Sequence, residues 1–121
     1  MMIVSSHKEV REGLGKVLGL AGGIEVAGAI AIPATAIENI SLASPDVALV
    51  DLDMPDFDGY EMIRQLRRRC PATRPIALTA HDYPAARERA LEAGACSVMV
   101  KGMDVPAMVS AIQSATGTNR N

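Results

Sequence analysis

Val47-Ala-Leu-Val-Asp51-Leu-Asp53 is the stretch that decides the fold. Its four leading residues are apolar without interruption, and the run ends on one carboxylate with a second two positions on. A strand that alternates apolar and polar residues lies half exposed, whereas one that is apolar throughout is covered on both faces, as in a parallel sheet flanked by helices. Four runs of the same kind lie outward from it: Met2 to Val4 and Ile24 to Ala27 upstream, Ile76 to Leu78 and Val98 to Val100 downstream. Helix-length segments separate them. Val10, Leu14, Val17 and Leu18 recur at helical spacing, as do Met62, Ile63 and Leu66, and later Val105, Met108, Val109 and Ile112. Strand and helix thus alternate five times. Parallel neighbours need a crossover of about a dozen residues or more, so the expected fold class is α/β, a doubly wound five-stranded parallel sheet with helices on both faces.

Local punctuation supports the boundaries. Asp58 stands where it can cap the third helix, Pro84 opens the fourth, and Gly94 follows that helix's last apolar residues. The second helix, around Ala34 to Leu42, is inferred from its place in the alternation. Gly13, Gly15 and Gly19 each cost the first helix on the order of 1 kcal/mol relative to Ala, so packing must hold it. The chain has 121 residues, 49% of them hydrophobic, which suits one domain with one core. The domain is expected over residues 1–115, and the polar, aperiodic stretch 116–121 reads as a tail or the start of a linker. A net charge of −2 provides no basic field for nucleic acid or an anionic membrane. The four arginines Arg64, Arg67, Arg68 and Arg69 read as a solvated face. No apolar run approaches the roughly 20 residues of a membrane span, and the N-terminus lacks signal-peptide layout. Cys70 and Cys96 fit no metal or redox spacing, so reduced thiols and a cytoplasmic setting are expected.

Ligands of an open parallel sheet sit beyond the carboxyl ends of its strands. The residues found there are Ser5-Ser6 after the first strand, Asp51 and Asp53 after the third, Thr79 after the fourth and Lys101 after the fifth. Taken singly, such an Asp is a turn residue, Thr79 a capping hydroxyl and Lys101 a solvated charge. Gathered on one rim they supply a nucleophile, a phosphoryl-oxygen contact and a countercharge. His7 and His81 have no partners at metal-ligand spacing, although His81 borders the rim, and the seven methionines read as core filler.

The stretch Asp46-Val-Ala-Leu-Val-Asp-Leu-Asp-Met-Pro55 with Asp58-Gly59, followed in order by Pro75-Ile-Ala-Leu-Thr-Ala80, Glu92-Ala-Gly-Ala95 and Val98-Met-Val-Lys101, resembles the receiver domain of bacterial response regulators. The likeness spans Ile3 to Ile112. It implies a flavodoxin-like sheet of strand order 2-1-3-4-5, Asp51 as phosphoacceptor, Thr79 as switch hydroxyl, Lys101 as phosphoryl contact, a sensor histidine kinase or other signalling protein as partner, and Mg²⁺ as cofactor. His7-Lys-Glu-Val-Arg-Glu-Gly-Leu14 further resembles the LuxR-type regulators, whose receiver precedes a helix-turn-helix output domain. Homodimers formed through the fourth helix, fifth strand and fifth helix are a common property of such domains, and a dimer is expected on that ground.

Three departures bear on function. Ser5 and Ser6 stand where the family places two acidic residues that hold Mg²⁺, and neutral hydroxyls offer a hard cation far less charge, so metal affinity should fall. Losing those charges leaves Lys101 free to pair with Asp51. Asp51 and Asp53 remain as candidate metal ligands, the carboxylate of Asp53 adding to the backbone carbonyl that this position normally lends; its ordinary alternative is to face solvent. Val98 replaces the aromatic residue that many relatives use as a readout, and Gly102 replaces the Pro that follows the lysine. The leading reading is a phosphorylatable receiver with Asp51 as nucleophile. The second is a receiver-shaped interaction module that works without phosphorylation. A third, a phosphatase using Asp51-Leu-Asp53 in the manner of haloacid dehalogenases, is opposed by the motif's place after the third strand, by the absence of an acidic pair after Lys101 and by the lack of a cap.

Overall fold

The structure, a computed structural model, describes residues 1–21 and 23–116. Five parallel strands, β1 (Met2–Val4), β2 (Gly28–Ile30), β3 (Val47–Asp51), β4 (Arg74–Thr79) and β5 (Ser97–Val100), form one sheet in the order β2-β1-β3-β4-β5. Five α-helices alternate with them: α1 (Lys8–Leu20), α2 (Ala36–Ala43), α3 (Gly59–Arg69), α4 (Pro84–Ala93) and α5 (Val105–Thr116).

Each central strand sends alternate side chains to opposite faces, and both faces are covered. Val4, Ala48, Val50, Ala77 and Val98 join Ile40, Ile63, Leu66 and Ala90 of α2, α3 and α4 in one core. Ile3, Leu49, Ile76, Leu78 and Met99 join Leu18, Met108 and Ile112 of α1 and α5 in the other. The uninterrupted apolar runs have this cause: no position in β3 faces water. All seven methionines belong to these cores or pack against them.

Two expectations need correcting. The second strand lies at Gly28–Ile30 rather than at 24–27. Met2↔Gly28 and Val4↔Ile30 fix its register, which buries Ile30 on the α2 side, whereas residues 24–27 form the approach, tied by the Ala27 N–H to the Met1 carbonyl at 2.8 Å. Apolar Ile24 and Val26 serve packing against the α1–α5 core, not the ladder. The tail was expected from 116, but Thr116 closes α5; residues 117–121 lie outside the described residues. The second helix is preceded by a 3₁₀ turn, Pro33–Thr35, and ends on Ser44 with φ 47°, the described non-glycine residue of left-handed backbone. Both cysteines are free thiols.

Asp58 caps α3 as expected, its Oδ1 accepting from the Tyr60 N–H at 3.0 Å and the Glu61 N–H at 3.2 Å. Replacing Asp58 by Ala should cost about 1 kcal/mol of unfolding free energy, measured by urea denaturation; no loss would mean that solvent serves those amides equally well. The next residue, Gly59, is buried, and a Cβ there would stand 3.1 Å from the Asp51 carbonyl and 3.0 Å from Leu52 Cδ2. Helix α3 therefore abuts the segment that carries the acidic residues.

Candidate functional site

The register brings the expected residues together at the carboxyl ends of the strands. The Leu52 N–H bonds the Leu78 carbonyl and the Lys101 N–H bonds the Thr79 carbonyl, both at 2.8 Å, extending the β3–β4 and β4–β5 ladders to the rim. Asp51 and Ser5 are wholly buried, Thr79 nearly so, and Lys101 is three-quarters buried.

Both oxygens of Asp51 are occupied. Oδ2 accepts from the Ser5 hydroxyl at 2.7 Å, while Oδ1 accepts from the Asp53 N–H at 2.9 Å and lies 3.0 Å from Lys101 Nζ. The direct Lys101–Asp51 pair expected from loss of the acidic residues is thus formed. The two serines part company: Ser5 reaches into the site, whereas Ser6 is exposed and outside this network.

Asp53 does what neither sequence reading anticipated. Its Oδ1 accepts from the Thr79 hydroxyl at 2.9 Å, and its Oδ2 accepts from the Ala80 N–H at 2.8 Å and lies 3.1 Å from Lys101 Nζ. Thr79 in turn accepts from the His81 N–H at 3.0 Å. Burial alone would raise the Asp53 pKa, but the Ala80 N–H, Lys101 and Thr79 outweigh it and hold the carboxyl below its ordinary value. Burial works likewise against the charge of Lys101, and its bonds to Asp51 and Asp53 outweigh that and raise its pKa.

These shifts give a signed prediction. A carboxyl with depressed folded pKa contributes stability in full above its unfolded value, about pH 4, and loses it as pH falls through the folded value. Lys101 contributes below its unfolded value, about 10.4, and its share is lost as pH rises through the higher folded one. Asp53→Asn should therefore cost about 1–2 kcal/mol at pH 7, and the gap to wild type should close as pH falls from 5 toward 2 in acid titrations of urea stability. A gap independent of pH would show that the charge of Asp53 is irrelevant.

Two residues that the sequence left unassigned complete the site. His7 donates from Nε2 to the Asp53 carbonyl oxygen at 3.2 Å, and its N–H donates to Ser5 Oγ at 3.1 Å. Arg11, one turn along α1, donates to the Ser5 carbonyl at 3.0 Å. Their spacing on the first turn of α1, directly after Ser5-Ser6, was the available signal. His81 joins only through its backbone; its ring stacks on Tyr83 with centroids 6.1 Å apart.

Mg²⁺ requires near-octahedral oxygen ligation, and the groups here fit it poorly. Ser5 holds one oxygen of Asp51, and His7 holds the Asp53 carbonyl that the family resemblance assigns to the metal. Among the described residues no three His, Cys, Asp or Glu side chains are grouped to hold a metal ion.

The sequence matches the response regulator receiver domain family over residues 1–113. It is 34% identical over 112 residues to the transcriptional regulatory protein NarL of Mycobacterium tuberculosis, covering 93% of this chain and 52% of that protein. It is 30% identical over 113 residues to DegU of Brevibacillus brevis, covering 93% and 48%. The chain thus spans about half the length of the curated relatives it matches. Among solved structures, the receiver domain of the NarL response regulator from M. tuberculosis superposes with a TM-score of 0.86 at 33% identity, covering 96% of this chain and 94% of that one. A LuxR-family response regulator from an Aurantimonas species gives a TM-score of 0.88 at 30% identity, covering 98% and 85%.

Proposed function

Because the chain belongs to the response regulator receiver domain family, we propose that it is a receiver of a two-component regulator that signals through protein contacts, without Mg²⁺-dependent phosphorylation of Asp51. One observation carries this reading: the Asp51 carboxylate is wholly buried with both oxygens bound by Ser5, Asp53 and Lys101. A nucleophile must reach phosphorus with an accessible oxygen, and Asp51 Oδ2 is buried under the Ser5 donor. A neutral hydroxyl also stands where a carboxylate would hold the cation that neutralises the transferred group. Val98, aliphatic and buried against the α4 core, adds that β5 lacks the aromatic readout.

Protein partners have surfaces to use. An apolar groove between α1 and α5, lined by Val10, Leu14, Val17, Val105 and Met108, opens beside Lys101, and Leu91 and Val105 are exposed. A kinase or another signalling protein, or a second copy of the chain, belongs to this proposal, as do a cytoplasmic setting and a non-enzymatic role; no described helix is long and apolar enough to cross a membrane. The same holds for a nucleic-acid-binding output domain elsewhere in a longer regulator. A phosphatase would need Asp53 free to pass a proton to a leaving group, and here its carboxylate is engaged by three donors.

Phosphorylation remains the second reading, favoured by the assembly of Asp51, Thr79 and Lys101 on one rim. Intact mass after incubation with acetyl phosphate, with and without Mg²⁺, separates the two. The expected result is no added phosphoryl mass under conditions that modify an ordinary receiver. A Mg²⁺-dependent gain abolished by Asp51→Asn would establish the second reading instead.

A further inference from the structure

A hydroxyl, a backbone N–H and an ammonium group converge on the Asp53 carboxylate at 2.9, 2.8 and 3.1 Å. Donors of this kind, fixed in a partly buried pocket, are what a phosphoryl oxyanion requires. Lys101 also bonds Asp51, so the occupied pocket adjoins the position that a group attached to Asp51 would take. Asp53 is itself fastened at both ends of its peptide, its N–H to Asp51 and its carbonyl to His7. We propose that the Asp53 carboxylate is a resident occupant of the phosphoryl pocket, holding the start of the β4–α4 segment where a phosphoryl group would hold it.

The coupling runs through named atoms. Asp53 fixes the Thr79 hydroxyl and the Ala80 N–H, and the same hydroxyl accepts from the His81 N–H, so one carboxylate orders three consecutive residues after the ladder ends. The side chain of Asp53 is only 19% exposed, consistent with a fixed group. Receptor and occupant lie on one chain, so occupancy does not depend on a donor, and the segment from Thr79 to the N-terminus of α4 is set in one arrangement.

This inference deepens the phosphorylation-independent reading and rests on it, yet the two fail separately. A phosphoryl mass gain on wild type would defeat the reading, while the occupant is judged by amide hydrogen exchange. In Asp53→Ala the Ala80 and His81 amides should exchange about tenfold faster or more, with Leu49 and Ile76 unchanged; Asp53→Asn, which keeps an acceptor, should fall between. Unchanged Ala80 and His81 exchange in both variants would overturn the proposal. A second arm uses beryllofluoride with Mg²⁺. Added to Ser5→Asp/Ser6→Asp/Asp53→Ala, it should slow the same two amides toward the wild-type rate, and added to Ser5→Asp/Ser6→Asp with Asp53 in place it should have little effect. Equal responses from the two proteins would show that Asp53 does not occupy the pocket.

Discussion

Lys101→Met is expected to lower the free energy of unfolding by about 3–5 kcal/mol at pH 7. Methionine preserves most of the side-chain volume, so the loss isolates the charge. Asp51 has no exposure, and with Nζ removed its compensation shrinks to the Ser5 hydroxyl and one N–H. Asp53 loses the same cation while keeping Thr79 and Ala80, so two carboxylates share a rim with no positive charge between them. Removing the partner of a buried charge costs far more than the pair itself contributes, because the remaining ion stays desolvated. Asp51→Asn added to Lys101→Met should accordingly recover half or more of the loss, a non-additivity read from a double-mutant cycle in urea. A single-variant loss below about 1 kcal/mol would place the pair with solvent-screened surface bridges, and the buried-charge account would fall.

Ser5→Asp/Ser6→Asp should cost about 2–4 kcal/mol without divalent cations and regain most of it in Mg²⁺. Ser5 Oγ lies 2.7 Å from Asp51 Oδ2 and donates to it. A carboxylate at position 5 exchanges that attraction for repulsion between like charges in a buried place. Mg²⁺ relieves it by binding both, and a cation at one hundred times its dissociation constant restores about 2.7 kcal/mol. Thermal melts of both proteins with and without millimolar Mg²⁺ test this. The wild type should not respond; equal stabilisation of wild type and variant would mean that the serines do not weaken the metal site.

The alternation of strands and helices was readable because burial on both faces of a parallel sheet leaves uninterrupted apolar runs, and Asp51, Thr79 and Lys101 were readable because each breaks such a run at its carboxyl end. β2 was misplaced because Gly28-Ala-Ile30 is a short edge strand with one buried side chain, so the apolar residues before it gave the stronger signal. The direction of Asp53 was not legible. It depends on the turn after β3, where its N–H folds back onto Asp51, and on the placement of Ala80 by β4; neither leaves a pattern in the neighbouring residues. His7 likewise depends on the meeting of the β1–α1 turn with the turn after β3.

The salt bridge between Asp51 and Lys101 also orders events in time. A ribosome completes β3 well before it reaches β5, and at roughly 5–20 residues per second the nascent chain spends seconds with Asp51 made and its cation unsynthesised. Closing the central strands over a bare carboxylate in that interval would bury an uncompensated charge. Stable docking of the nascent β3 edge should therefore wait for Lys101, so that the sheet closes as one event once β5 and Lys101 have been made. Nascent chains stalled before position 101 should be open to protease at the β3–α3 turn, and those stalled with α5 outside the tunnel should be resistant.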